Sequence, residues 1–551
     1  MTVPQHGPST PAPWGTTQVS SNPADIVVKA DVLIVGGGMA GAWAAATAAR
    51  TGASVVLADK GYCGTSGVTA TAGPGHWWVP PDPPEARPEA IRARANAGLG
   101  LCDPDWMARV IALTWEALPT LAGYYEFPRD ASNIVQYRGL RGPEYMRALR
   151  RLIADLGVSI LDQSPVLELL QRPDGSIGGA CGVRRQQGNA LYRVESGATV
   201  LATGGTSFMS HLLGSRTNTG DGYLMAAEAG AELSGMEFTA AYTVAPQHST
   251  MTRSMSYAFA TYYDTDGHEI APAGPDQIRL LARELLRGPV FCSLHRMPQD
   301  IRDHLPTISP NLMLPFARWN IDPFNDRFEV TLHNDGTIRG TGGVRVVGDD
   351  CATSVPGLFV AGDVATRELV AGATSGGGAQ NSAWALSSGH WAARGAVDFA
   401  RSRDRRSMPL TPVGQAGLRP LGTARTSDVG AIVQAVKDEM HPLDRNLFRS
   451  GEKLRRSQQR LDSAWKEIRH FSGAAAANPL PAREAAALVA SARWSLAAAL
   501  ARDESRGLHQ REDRPGTSAG FDRRIVVSGL DSIRTGFEDE VHPSTRMELA
   551  E

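Results

Sequence analysis

One stretch near the start of the chain restricts the fold more than any other. Residues 32–35 are an apolar run. Gly36-x-Gly38-x-x-Gly41 follows, then an alanine-rich segment from Met39 to Arg50, and a second run over 54–58 that ends on Asp59. This pattern predicts strand, tight turn, helix and strand, the opening of a βαβ unit. Glycines at this spacing let the backbone approach a pyrophosphate, and the helix N-terminus offers unpaired N–H groups and the positive end of its dipole. Asp59, 18 residues beyond Gly41, can accept hydrogen bonds from ribose hydroxyls. The expected class is α/β (α+β overall), with a Rossmann-like dinucleotide-binding domain. NAD and FAD share this motif, so the motif alone does not choose between them.

Later segments bear on that choice. From Gly64 to Gly75 the chain is almost all small residues and hydroxyls, a texture that can run close against a flat ring system. A buried-type strand over 198–202 ends in Thr203-Gly204-Gly205. Asn218-Thr219-Gly220-Asp221-Gly222 precedes a helix. Residues 356–361 form another apolar run, ending in Gly362-Asp363. Asn381-Ser382 open a helix whose N–H groups could face an anionic ring edge.

The rest of the 551 residues divides by texture. We expect a disordered lead over 1–28, the first part of the nucleotide-binding domain over 29–235, an inserted cap over 236–344, the second part of the first domain over 345–415, and a C-terminal helical domain over 416–551. The cap is marked by more aromatics, His and Pro. The clearest helices expected in the tail are 454–468 and 483–502. The net charge of −2 provides no general field for nucleic acid or an acidic membrane. The most apolar stretch, 485–500, carries Arg493 at its middle and reads as a packed helix rather than a membrane span. The five cysteines include no C-x-x-C pair, which argues against a zinc ribbon, a cluster held by this chain alone, or a disulfide framework. No metal site is expected. With no secretory leader in the first 28 residues, the expected compartment is the cytoplasm.

Taken together, these segments resemble the flavoprotein subunits of fumarate reductase and succinate dehydrogenase, with L-aspartate oxidase and the α subunit of adenylylsulfate reductase. The resemblance runs from about residue 30 to the C-terminus. It is carried by Thr219-Gly220-Asp221-Gly222-Tyr223-x-Met225-Ala226, Ala229-Gly230-Ala231-Glu232-Leu233, Met236-Glu237-Phe238, Gly288-Pro289-Val290, Leu294-His295-Arg296-Met297-Pro298 and Arg502-Asp503-Glu504-Ser505-Arg506-Gly507-x-His509-x-Arg511-x-Asp513-x-Pro515. It implies FAD as cofactor, a discontinuous FAD-binding domain, a mobile cap and a helical C-terminal domain. It implies FAD contacts at Gly36, Gly38, Met39, Ala40, Gly41, Asp59, Lys60, Ser66, Thr69, Gly73, Val166, Thr203, Gly204, Gly205, Asp221, Gly362, Asp363, Asn381 and Ser382. Members that attach FAD covalently use a His where this chain has Gly67 and Val68, so noncovalent FAD is expected.

The departures from the family pattern bear on the substrate. Tyr242 stands where dicarboxylate enzymes have one substrate-site His, and Ile338 or Arg339 where they have another. The region 271–276 lacks their proton-delivering Arg. Gly372-Ala373-Thr374-Ser375 lacks their carboxylate-holding Arg. Burying a charge without a partner costs several kcal/mol per ion, so succinate, fumarate and aspartate are poor candidates. The cap region resembles that of adenylylsulfate reductase more closely.

Arg339 is the leading catalytic candidate, placed to stabilise reduced flavin or hold an anion. Tyr242 could donate a hydrogen bond, with His248 and Arg253 following it in the cap. His76-Trp77-Trp78 could wall the pocket, and Thr374 and Ser375 could bind a neutral group. His509 and Arg511 read as structural. The expected function is hydride transfer between flavin N5 and a small organic substrate. The alternative is an electron-transfer subunit with an iron–sulfur partner. A different electron-accepting partner and a homo-oligomer also remain open.

Overall fold

The computed structural model describes residues 25–541, except 131, 251–254, 275, 309, 403–407, 424–426 and 472–477. The strand Asp25–Val35 lies inside the main sheet. It pairs in parallel with Val55–Ala58 on one side and with Ala190–Leu201 on the other. Ser159–Leu161 extends the sheet beyond Val55–Ala58, and Leu358–Val360 joins the end of Ala190–Leu201, both in parallel. An antiparallel meander, Val166–Gln171 and Ile177–Arg184, completes the other flank, edged by Thr411–Pro412. The expected lead over 1–28 is therefore too long. Residues 25–28 already pair with 191–194, and the remainder of that lead lies outside the described residues.

The helix Met39–Arg50 forms where the alanines place it. It is buried on almost every side, from Met39 through Ala48. A helix enclosed this way needs small side chains all round rather than an apolar stripe. It packs against the long helix Gly377–Ser402, where a Cβ on Gly389 would press on the Ala40 carbonyl oxygen at 2.6 Å. Its one aromatic residue, Trp43, is fully buried and donates from Nε1 to the Tyr145 hydroxyl at 2.8 Å.

The cap has its own sheet and core. Five antiparallel strands lie in the order Glu269–Ile270, Thr261–Tyr263, Val290–Ser293, Phe328–Asn334, Tyr242–Pro246. Val244, Tyr262, Leu281, Phe316, Phe328 and Val330 pack on it, and Leu447 and Phe448 reach in from the tail.

The C-terminal part is only partly the helical domain expected. Val429–Met440, Gly451–His470 and Leu480–Ala501 are helices, but Ile525–Ser528 and Arg534–Phe537 form a hairpin. That hairpin continues a small antiparallel sheet through Leu233–Ser234 to Gly343–Val344, the two points where the chain enters and leaves the cap. The paired hinge strands present an open edge, and the hairpin covers it. Fully buried Arg502 reinforces the junction, pairing with Glu237 at 2.7 Å and Glu504 at 3.1 Å.

Candidate functional site

A cavity of about 1460 Å³ opens at the C-terminal ends of the parallel strands, lined there by Val35, Ala58, Ala202 and Ala361. Ordinary small-molecule pockets span ~300–1,000 Å³, so this one has room for a dinucleotide and a second molecule. The three glycines of the turn serve different ends. Gly36 sits at φ +105°, and a Cβ there would collide with the Ala202 carbonyl. A Cβ on Gly41 would collide with the carbonyl of Gly36. A Cβ on Gly38 would meet nothing within 4 Å, and Gly38 lines the cavity as the N-cap of Met39–Arg50. That leaves a cradle at the positive end of a helix, where a side chain would intrude on a pyrophosphate.

Asp59 is buried at the rim of this cradle. Its carboxylate accepts from the Gly37 N–H at 2.5 Å, the Gly61 N–H at 2.7 Å and the Ser66 hydroxyl at 3.0 Å. Burial pushes its carboxyl above the ordinary value, against the pull of those donors. Asp59 thus holds the glycine turn in shape while still lining the cavity. Lys60 is bound into a cluster, paired with Asp221 and Glu484 at 2.7 Å each and donating to the Thr217 carbonyl at 2.9 Å. The buried Thr203 hydroxyl has no partner among the described residues, and Thr203 lines the cavity.

Gly36, Gly38, Met39, Ala40, Asp59, Lys60, Ser66, Thr69, Gly73, Val166, Thr203, Gly204, Asp221, Gly362, Asp363, Asn381 and Ser382 all line this cavity. Two expected contacts do not. Gly41 is required for packing, as above. Gly205 is a glycine because a Cβ there would run into the Thr337 hydroxyl.

At the far end, the start of the helix Gly377–Ser402 gathers the cap-side residues. The Trp77 N–H donates to the Ala379 carbonyl at 3.1 Å, and Asn381 Nδ2 to the Ile338 carbonyl at 3.5 Å. Arg339 follows Ile338 and faces the same cavity. Its Nε lies 3.5 Å from buried Asp335, which accepts from the Thr243 hydroxyl at 3.2 Å. No described residue accepts a hydrogen bond from its Nη atoms.

Sequence reasoning missed the residue that fixes this loop. Arg367 is 1% exposed and pairs with Asp363. It donates to the carbonyls of Thr337, Ile338 and Gly340. A lone arginine four residues after Asp363, inside a small-residue stretch, was the available signal.

The other catalytic candidates fare differently. Tyr242 borders the cavity, but its hydroxyl donates to the His441 carbonyl at 3.0 Å. Burial also pushes its phenol well up. The ring faces the cavity while the proton is engaged elsewhere, which removes the expected role as donor. His248 is exposed at φ +64° and does not line the cavity. Arg253 lies outside the described residues. Thr374 and Ser375 also do not line it, and the Thr374 hydroxyl accepts from Arg94 at 2.8 Å. His76, Trp77 and Trp78 do wall it, and burial holds the His76 imidazole neutral, down to about 3. His509 contacts Arg449 at 2.9 Å and the Arg502 carbonyl at 3.0 Å, and Arg511 pairs with Asp513, both structural as expected.

Known proteins share these features. The FAD binding domain family matches residues 31–140 and 129–254, and the fumarate reductase flavoprotein C-terminal family matches 440–524. The chain therefore carries an FAD binding domain and a fumarate reductase flavoprotein C-terminal domain. An L-aspartate oxidase of Streptomyces coelicolor is 27% identical over 92% of this chain and 93% of its own. A fumarate reductase (CoM/CoB) subunit of Methanothermobacter marburgensis is 26% identical over 91% and 97%. Among solved structures, E. coli quinol fumarate reductase superposes with a TM-score of 0.80 at 19% identity, covering 93% of this chain and 96% of that one. Adenylylsulfate reductase of Archaeoglobus fulgidus gives 0.76 at 17% identity, over 94% and 96%. These two likenesses concern the fold. The chain is an FAD-dependent oxidoreductase, and the glycine cradle, Asp59 and the unpartnered Thr203 hydroxyl fit that cofactor. No helix among the described residues is long and apolar enough to cross a membrane.

Proposed function

We propose that this flavoprotein oxidises or reduces a small organic molecule held between the cap and the start of the helix Gly377–Ser402, and that succinate, fumarate and aspartate are not that molecule. Bound FAD would supply the hydride chemistry. The chain's residues would hold FAD at Gly36–Gly38 and Asp59, keep water from the ring with the cap, and set the charge at the reacting end. The observation that carries this reading is Arg339. Among the described residues that the cap contributes to the cavity, it is the one cation, and its Nη atoms have no protein acceptor.

A dicarboxylate would bring two charges to this place. The segment in which the family pattern carries a second arginine is turned away here. Arg94 binds it from the other side, donating to the carbonyls of Val370, Ala371 and Ser375. Aspartate, the substrate in the name of the oxidase relatives, is set aside because the difference lies in the substrate-side residues and not in the fold.

FAD is held without a covalent bond in this reading, since Gly67 and Val68 line the cavity where a linking side chain would be needed. None of Cys63, Cys102, Cys181, Cys292 and Cys351 is in a disulfide, and no three ligating residues among the described cysteines meet. An iron–sulfur acceptor would therefore be brought by a partner chain. The test is anaerobic mixing of the yellow holoprotein with succinate, fumarate, aspartate and a wider set of organic acids. Bleaching by one of the wider set, with none by succinate or aspartate and no fumarate turnover by the reduced protein, supports the proposal. Robust turnover of any of the three defeats it.

A further inference from the structure

Among the described residues, the cap-side part of the cavity is largely apolar, with Thr243 and Gln277 between the rings, and the cap contributes one cation to it. Trp78 is held between two rings, stacked on Tyr137 with centroids 4.2 Å apart and tilted against Trp115 at 4.3 Å, so that it turns an edge to the cavity. Trp77, Val244 and Ile278 add apolar surface. Tyr257 borders the cavity too, and its buried hydroxyl has no partner among the described residues. The Tyr242 ring borders it as well, with its hydroxyl on the His441 carbonyl. The chamber thus has a wall of rings and branched side chains, with His76 uncharged beside it.

Against this wall stands the Arg339 guanidinium. Asp335 takes its Nε side at 3.5 Å and leaves the Nη fork to the cavity. A planar fork suits a carboxylate. A second carboxylate in the same chamber would meet rings, and a charge buried without a partner is strongly disfavoured. Arg138, Arg185 and Arg216 also line the cavity but are exposed, so water screens them.

We propose that the cap-side site binds a flat, hydrophobic monocarboxylate, its carboxylate on Arg339 and its ring or hydrocarbon body against Trp77, Val244, Ile278 and the edge of Trp78. This names the substrate class of the reading above and rests on it.

Benzoate is a suitable probe, with benzyl alcohol as the neutral analogue, terephthalate as the dianion and acetate as the ringless anion. Each is titrated into the holoprotein by calorimetry and by the flavin absorbance spectrum. Benzoate should bind at least ~10-fold more tightly than the other three, the least weight of one charge-assisted hydrogen bond, and should perturb the flavin spectrum. Arg339→Gln should lose that preference over benzyl alcohol, and binding of benzyl alcohol itself should hardly change. Terephthalate or acetate binding as well as benzoate, or benzoate binding unaffected by Arg339→Gln, overturns the proposal. A holoprotein that ignores benzoate while another substrate bleaches it overturns this inference and leaves the oxidoreductase reading intact. One that binds benzoate through Arg339, but whose flavin no organic substrate reduces, supports the site and refutes the proposal that a small organic molecule reacts there.

Discussion

Replacing Gly38 with alanine separates cofactor binding from folding. Gly38 has φ −70° and ψ −173°, a conformation open to any residue, and a Cβ there has nothing within 4 Å. The fold should tolerate the change. A lost glycine N-cap and a stiffer unfolded chain are opposing effects, each within about 1 kcal/mol. The methyl group would, however, stand in the cradle where a pyrophosphate must meet the helix N-terminus. Overfilling a close-packed site costs ~1–3 kcal/mol, or roughly 5- to 150-fold in FAD affinity. Gly41→Ala is the contrasting control. Its Cβ would collide with the Gly36 carbonyl, so the apoprotein itself should fail to fold. The assay pairs thermal melts of the apoproteins with FAD titration by flavin fluorescence. If Gly38→Ala binds FAD as the parent does, or melts as badly as Gly41→Ala, the assignment of this turn to the pyrophosphate is wrong.

Arg367→Met should destabilise the protein by on the order of 3 kcal/mol, because it leaves Asp363 without its buried partner. Adding Asp363→Asn should restore part of that in a melt, and no recovery would show that the pair is not the cause. Burial, reinforced by nearby Glu237, pushes the Glu368 carboxyl up to about 7 from 4.5. The folded state then holds that proton longer than the unfolded one, so this group's contribution to stability falls as pH rises from about 4.5 to 7. Glu368→Gln should therefore melt higher than the parent above pH 7 and like it near pH 4.5, and parallel pH profiles would contradict this. Acid precipitation should leave FAD in the supernatant, and a yellow pellet would point to a covalent bond.

The nucleotide-binding opening was legible because its causes are local. The strand, the turn and the helix Met39–Arg50 are each specified by residues a few positions apart, and the cavity forms around them. The change of texture over 236–344 falls on residues whose strands form a sheet of their own, but it says nothing of their orientation. Tyr242 looked like a proton donor in sequence, and the carbonyl that takes its hydroxyl lies 199 positions away. Thr374 looked available for a ligand, yet Arg94, 280 positions earlier, holds it. The tail hairpin escaped notice for the same reason. Its four-residue strands carry little pattern of their own and exist because the hinge strands Leu233–Ser234 and Gly343–Val344 need a neighbour.

At the centre of this site is one guanidinium, Arg339, whose Nη fork has no acceptor among the described residues and which would set the charge at the reacting end of the flavin. The most direct test is a redox titration of the bound FAD in the parent and in Arg339→Gln. A preorganised cation beside developing negative charge is worth ~3–4 kcal/mol. For a two-electron couple that corresponds to a midpoint potential lower in the variant by roughly 60–90 mV, with FAD content unchanged. Equal potentials in the two proteins would show that Arg339 does not act on the flavin, and the account of this site would fail.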